Sequence, residues 1–426
     1  MRRSYGPAVM LAVSLVICAP TTFAQQGGGA ERANEAPATS NTDPAASPAA
    51  PSPPREWIGT GLRWPSWSRL TGDWARARTS LEDRGISFDI TTTSDGSGLN
   101  TRPNGLQGFG RYLTTAGATF DLETIAGLKG SHLLVQYQML GGANAAFGSS
   151  VAQPFSNIDA DTFRRFAEVW IEQEFGPNVR VKGGLIDANT EFAFVENNGD
   201  FINSSMGYSP TMFPMPTYPD PHFGLVAHAH PTGRTYASVG VFNGGPAMGV
   251  DDFKALFAIG EAGLHWESGG GGRLGVGYWR IDGQTIDADD VMQPVGTGGQ
   301  YVVIDQTLWS NEQNGVSRAV GAFVQAGRAD PRVSPMSSHI GGGLTARGLF
   351  SRRPNDSVGI GLTAVNLSPA APEDPGGREI VFETFHRFVL TQWMALKPDM
   401  QLIRHPGGTP GRRTIVAGTV RIEVVF

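Results

Sequence analysis

From Ile86 to Phe426 apolar and polar side chains alternate along the chain, segment after segment. In "ISFDITTTSD", Ile86, Phe88, Ile90 and Thr92 fall on one face, and Ser87, Asp89, Thr91 and Thr93 on the other. "VGIGLTA" sets Val358, Ile360, Leu362 and Ala364 against Gly359, Gly361 and Thr363. "REIVFETFHRFVL" sets Ile380, Phe382, Phe388 and Leu390 against Glu379, Glu383 and Arg387. A period of two is that of a β-strand with differently solvated faces. Sixteen such strands are expected, starting near residues 86, 110, 131, 165, 179, 222, 234, 256, 273, 300, 318, 338, 357, 378, 392 and 413. Runs of about ten residues exceed the usual soluble strand of about 5–6. They fit a membrane-crossing strand, apolar towards lipid and polar towards a wet interior.

The fold class this implies is all-β: a sixteen-stranded antiparallel transmembrane β-barrel with a short N-terminal amphipathic helix. The connections fall into two alternating sets. Residues 96–109, 141–164, 188–221, 243–255 and 283–299 make long loops, and 123–130, 176–178, 231–233, 268–272 and 311–317 make tight turns. Long loops on one side and short turns on the other are usual for outer-membrane barrels. The third long loop has about 34 residues, and a loop that long is usually functional. The chain ends on "AGTVRIEVVF", with Gly418, Val420, Ile422, Val424 and Phe426 on one face and Thr419, Arg421 and Glu423 on the other. A last strand in this phase is expected to pair with the first and abolish both edges. The terminal ring of Phe426 suits a membrane interface and resembles the C-terminal signal read by the outer-membrane assembly machinery.

Composition agrees. Charged residues are 17% and 57 of 426 residues are glycine, against averages of about 25% and about 7%. No run of 18 apolar residues marks a transmembrane helix. "MRRSYGPAVMLAVSLVICAPTTFAQQ" has two arginines, an apolar run and a small-residue site, so residues 1–24 are expected to be a secretory signal peptide. Its removal takes the only cysteine and leaves 31 Lys and Arg against 39 Asp and Glu, a net charge of −8. That excludes a disulfide scaffold and disfavours nucleic acid or an anionic lipid surface as a partner. Residues 25–65 are rich in Ala and Pro and read as a disordered linker. Residues 66–85 hold the helix, with Leu70, Trp74, Ala77 and Leu81 on one face, and residues 86–426 the barrel.

Ten segments spread in order over residues 70–426 resemble the carbohydrate-selective porin family (OprB type) of the bacterial outer membrane. They include "GDWARARTSLEDRGISFD" (72–89), "LKGSHLLVQYQ" (128–138), "RFAEVWIEQEF" (165–175), "VKGGLIDANTEFAF" (181–194), "FINSSMGYSP" (201–210), "GGGLTARGLFSRRPNDSVGIGL" (341–362) and "LKPDMQLIRHPGG" (396–408). The resemblance implies facilitated diffusion of mono- or oligosaccharides through a constricted lumen, with outer-membrane lipid around it and no cofactor. A general or ion-selective porin is the same-fold alternative. A barrel enzyme needs a catalytic triad at the rim, and no G-x-S-x-G elbow is present. A secreted glycan-binding β-protein is a third class. Whether the barrel is a monomer or a trimer stays open.

A porin needs no catalytic residue; its selectivity comes from rings of side chains at a constriction. The tight hairpin around "GPN" is the main candidate. Glu168, Trp170, Glu172 and Glu174 share a face of its first strand, opposite Ala167, Val169 and Ile171; Arg180 and Lys182 share a face of the second. Pairing across the turn is expected to set Glu174 beside Arg180 and Glu172 beside Lys182, which gives a transverse field or a stiffening ladder of lumen ion pairs. Trp170 is suited to stack on a pyranose. Arg111, and Asp187, Glu191, Glu196 and Asp200 of the long third loop, complete the candidates. His222, His228 and His230 share one strand face and read as lumen-lining polar residues rather than metal ligands.

Overall fold

The computed structural model describes residues 56–58, 62–100, 105–143, 151–244, 256–286, 292–313, 316–332, 334–368 and 377–426. The expected signal peptide lies outside them, as does the 25–65 linker apart from residues 56–58 and 62–65. Sixteen strands follow in chain order: β1 Ile86–Asn100, β2 Leu106–Asp121, β3 Ser131–Gly142, β4 Phe163–Glu174, β5 Val179–Ile186, β6 His222–Thr232, β7 Thr235–Asn243 and β8 Leu256–Trp266. Then come β9 Gly272–Ile286, β10 Met292–Gln313, β11 Val316–Ala329, β12 Met336–Arg347, β13 Ser357–Leu367, β14 Arg378–Thr391, β15 Met394–Arg404 and β16 Ile415–Val425. Each pairs antiparallel with its sequence neighbour, and β1 pairs with β16 to close the barrel.

The closing ladder runs from Thr91 opposite Val425 to Asn100 opposite Val416. Closure satisfies both backbone edges, which hydrocarbon cannot do. The alternation sorts the two faces as expected. On β16, Thr419, Arg421 and Glu423 are buried inward while Val416, Val420 and Ile422 are exposed outward. One outward register row reads Leu274, Ile304, Val324, Gly342, Leu362, Phe382, Leu402 and Val416 across eight strands. Such an uninterrupted apolar row is the face a bilayer requires.

Three expectations are corrected. Residues 96–109 and 283–299 are not mainly loop: the connections are 101–105 and 287–291, and the flanking stretches are strand. A hairpin arm standing in water needs backbone pairing but no apolar face, so its Gly-rich sequence hides it. In β4, a register shift between Gln136 and Tyr137 of β3 inserts an extra residue. Ala167 and Glu168 are both buried, so Ala167 does not share the outward face of Ile171, as a bulge dictates. The helix over 66–85 contracts to α1 Ala77–Glu82. Trp74, Ala75 and Arg76 before it have φ of 53°, 57° and 78°. The N–H groups of Leu70 and Asp73 donate to Val425 O (2.8 Å) and Glu56 O (3.2 Å) rather than to a helix. Tertiary bonds thus outcompete the local pattern, and the segment lies against the β1–β16 seam. Arg78, buried beneath Trp74, donates to the Phe426 carbonyl at 3.0 Å.

The core lies inside the barrel. Phe192, Phe201, Met206, Met212 and Met215 of the third loop bury against Phe242, Phe257, Trp279, Tyr301, Phe323 and Phe385 of the wall. A smaller cluster sets Phe155 against Leu99, Val381, Ile403 and Ile415.

Candidate functional site

The loop 187–221 begins with a turn made by its own sequence. Asp187 accepts from the N–H of Asn189 at 2.9 Å and caps the 3-10 turn Ala188–Thr190. Asn203 caps the single-turn helix α2, Ser204–Gly207, in the same way. Side chains are short-range caps here because they satisfy N–H groups that have no helical partner. The loop then crosses the lumen. Ala193 N donates to Glu261 of β8 (2.9 Å), Asn197 N to Asp305 of β10 (2.9 Å), and Ile202 N to Glu383 of β14 (2.6 Å). Gln325 of β11 donates to Ser205 O at 2.7 Å, and Asp200 receives Lys397 of β15 at 3.2 Å and Ser357 of β13 at 2.6 Å. Burial raises the Asp200 carboxyl, but Lys397 and Arg387 outweigh it and hold the group below the usual carboxylate value.

A wall of glycines receives this loop. A Cβ on Gly343 or Gly361 would lie 2.8 Å from the Phe201 ring, and one on Gly359 3.2 Å from it. These barrel glycines form the socket into which the ring fits.

A second inserted segment, 151–162, was not singled out from the sequence. Its Asp159 pairs with Arg111 of β2 at 2.5 Å. Arg421 of β16 donates to Asp95 of β1 at 2.7 and 2.9 Å and to Asn157 at 2.8 Å. Glu379 accepts from the N–H groups of Ala152 and Gln153, both at 2.8 Å.

The hairpin candidates fall where the register demanded. Glu172 is opposite Lys182, Glu174 opposite Arg180 and Trp170 opposite Gly184. Glu172 and Lys182 pair directly across the ladder, whereas Arg180 reaches diagonally to Glu172 rather than to Glu174. Arg180 binds Glu172 at 2.6 Å and Glu191 of the loop at 2.8 Å, and Lys182 binds Glu191 and lies 3.4 Å from Glu172. His228 of β6 sits between Glu191 (2.7 Å) and Ser238 (2.5 Å). Burial pushes the Glu191 carboxyl up, but Lys182, the His228 hydrogen bond and Arg180 together hold it well below the usual range. Trp170 donates to Glu168 at 2.7 Å, and the Lys182 ammonium lies 3.9 Å from its ring centroid. Glu174 is exposed at the turn.

Thus Glu168, Trp170, Glu172, Arg180, Lys182 and Glu191 form one cluster. Arg111 belongs to another with Asp95 and Asp159, and Asp200 to a third with Arg387, Lys397 and Glu423. Asp187 also accepts from Tyr218 N at 3.0 Å, and Glu196 opens the 3-10 turn Glu196–Asn198. The three histidines go to different partners: His222 to Asn243 O, His228 to Glu191, and His230 to the Tyr236 ring.

The inserted segments cover the lumen wall unevenly. Inward residues of β12–β16 such as His339, Thr363, Glu383, Gln401 and Arg421 are buried beneath them. Many inward residues of β2–β4 are half-buried, namely Thr115, Thr119, Leu134, Gln136, Gln138, Trp170 and Glu172, while Arg111, Leu140 and Glu168 on the same wall are buried. Gln136 is in register with Glu168, and Leu134 with Trp170. The open wall therefore carries amides, hydroxyls, the aliphatic Leu134 and one indole beside the charged cluster.

Residues 85–426 match the carbohydrate-selective porin family, OprB family. The chain belongs to that family. Porin B of Pseudomonas aeruginosa is 22% identical over 421 residues, covering 85% of this chain and 92% of that protein. The high-pH structure of Pseudomonas putida OprB superposes with a TM-score of 0.76 at 18% identity, covering 85% of this chain and 99% of that one. Its low-pH structure gives 0.59 at 17% identity, with the same coverage. At such identities the structural likeness establishes the fold.

In this OprB-family porin, Gln136 and Gln138 were legible but unread: "LLVQYQ" places both on the polar face of its strand. The insertion of 151–162 left no such signal, because its anchors on Arg111, Glu379 and Arg421 come from three distant strands.

Proposed function

We propose that this porin passes carbohydrates across the outer membrane by facilitated diffusion, along a path between the inner face of β2–β4 and the inserted loop 187–221. Family membership supports the substrate class. The half-open wall of Thr115, Thr119, Gln136, Gln138 and Trp170 is the observation that carries the route. A sugar exchanges its hydration for hydroxyl and amide partners there, at small net cost because each hydrogen bond lost to water is replaced. Trp170 keeps an apolar body beside them. Two cations, Arg180 and Lys182, face two carboxylates, Glu172 and Glu191. These four charges oppose one another and present a local dipole that orients a neutral polar solute; Glu168, hydrogen-bonded by Trp170, adds a further acid to the cluster. The closed barrel and the family point to a channel rather than an enzyme. Export by the 1–24 leader and assembly through the β16 strand ending on Phe426 complete this reading.

Single-channel conductance in a planar bilayer, with glucose and maltose titrated in, tests it. Saturable block is expected. Trp170→Ala is expected to weaken that block by about threefold to tenfold, the range of one aromatic contact of about 0.5–1.5 kcal/mol. Open channels without block at high sugar would leave a general diffusion porin.

A further inference from the structure

On the outer surface of β13–β15, at the end away from the chain termini, the lipid-facing wall changes character within one register step. Arg378, the first residue of β14, is exposed and is opposite Asn366 of β13. Its Nε donates to Asn366 Oδ1 at 2.8 Å, and Asn366 Nδ2 donates to Ser338 of β12 at 2.6 Å. That chain holds the guanidinium outward. Arg404, the last residue of β15, is exposed and opposite Ile380, two residues along β14 from Arg378. Diagonal neighbours of this kind lie roughly 7–8 Å apart, a span two arginine side chains bridge onto one anion. Arg412 and Arg413 are exposed in the following connection to β16. Among the described residues none of the four arginines is in an ion pair. The neighbouring carboxylate, Glu379, points inward, is fully buried, and is taken up by the N–H groups of Ala152, Gln153 and Gly407. Directly below the arginines the outward residues are apolar: Ala364 and Ile380, then Leu362, Phe382 and Leu402.

We propose that Arg378 and Arg404 form a clamp for the phosphate headgroup of an outer-leaflet lipid, whose acyl chains lie on the apolar strip beneath. A guanidinium is suited to this because its planar fork grips phosphate bidentately. A basic residue at a membrane surface attracts anionic lipid. The charge, unpaired among the described residues, and the adjoining hydrocarbon face select a lipid over a soluble anion, since a free phosphate gains nothing from Phe382 and Leu402.

Native mass spectrometry of the full-length folded protein, purified in a neutral detergent and titrated with phosphatidate or with phosphatidylcholine, tests the clamp. Wild type is expected to retain phosphatidate, and the Arg378→Gln/Arg404→Gln double variant to retain it about tenfold less. The Arg378→Lys/Arg404→Lys variant is expected to fall between. Arg164→Gln, on the exposed surface of β4, is expected to bind as wild type does, and heat-modifiable gel mobility shows that each variant is folded. Equal retention by wild type and the Gln variant would overturn the proposal. Complete displacement of phosphatidate by 0.1 M inorganic phosphate would equally overturn it, by reducing the clamp to a site for free anions.

Discussion

Glu191 holds the lumen cluster together, because Arg180, Lys182 and His228 all converge on its buried carboxylate. Glu191→Gln leaves two cations with Glu172 alone. Truncating one partner of a buried ion cluster costs about 3–5 kcal/mol, so urea unfolding in lipid vesicles is expected to shift by that order and the reversal potential to move towards anion selectivity. The pH response follows from the depressed Glu191 value. A group whose folded value lies below its unfolded one stabilises above the unfolded value of about 4.3 and loses that stabilisation as pH falls towards the folded one. Conductance is therefore expected to show no loosening of this contact between pH 8 and pH 5, and loosening only below about pH 4. That Glu172 and Lys182 share a face and a register was legible in "WIEQEFGPNVRVK". That Glu191 intrudes between them was not, because it arrives from a loop whose path is set by contacts on other strands.

Among the elements, the 187–221 loop is the one packed furthest into the barrel wall, and the proposed sugar path runs along it. Its Phe201 ring rests on Gly343, Gly359 and Gly361, where a Cβ would come within 2.8–3.2 Å of it. Gly361→Val is expected to expel the ring, leaving a closed barrel with a loosened loop. Faster proteolysis of the loop and noisier channel currents are the measurements that check this. Phe201→Ala removes the same contact from the other side and is expected to cost about 3–5 kcal/mol, as burying no ring leaves a cavity. In the sequence these glycines read only as barrel and turn residues. Their complementarity to a ring more than a hundred positions away becomes visible once β12 and β13 are placed opposite the loop.

For the whole molecule, the outward face works as a solvent boundary. Leu362 lies within the apolar row, and Asn366 two register steps above it on the same strand. Leu362→Arg is expected to destabilise the barrel by about 2–4 kcal/mol if it lies near the bilayer midplane, and Asn366→Arg by about 0–1 kcal/mol near the interface. Urea unfolding from vesicles, run on both variants, measures the difference directly.

Strand number, antiparallel order, closure and the sorting of faces were all determined by the sequence itself. A period of two repeated sixteen times admits few other solutions, since hydrocarbon tolerates no unpaired edge. The charged hairpin was equally local: "EVWIEQEFGPNVRVK" carries its own turn and register. What only the tertiary structure decided was how the lumen is filled. The insertion of 151–162 and 187–221, the shortening of the N-terminal helix against the β1–β16 seam, and the choice of β2–β4 as the open wall all rest on contacts between residues far apart in the chain. Such contacts leave no periodicity to read, because each is a single side chain meeting a single partner rather than a face meeting a solvent.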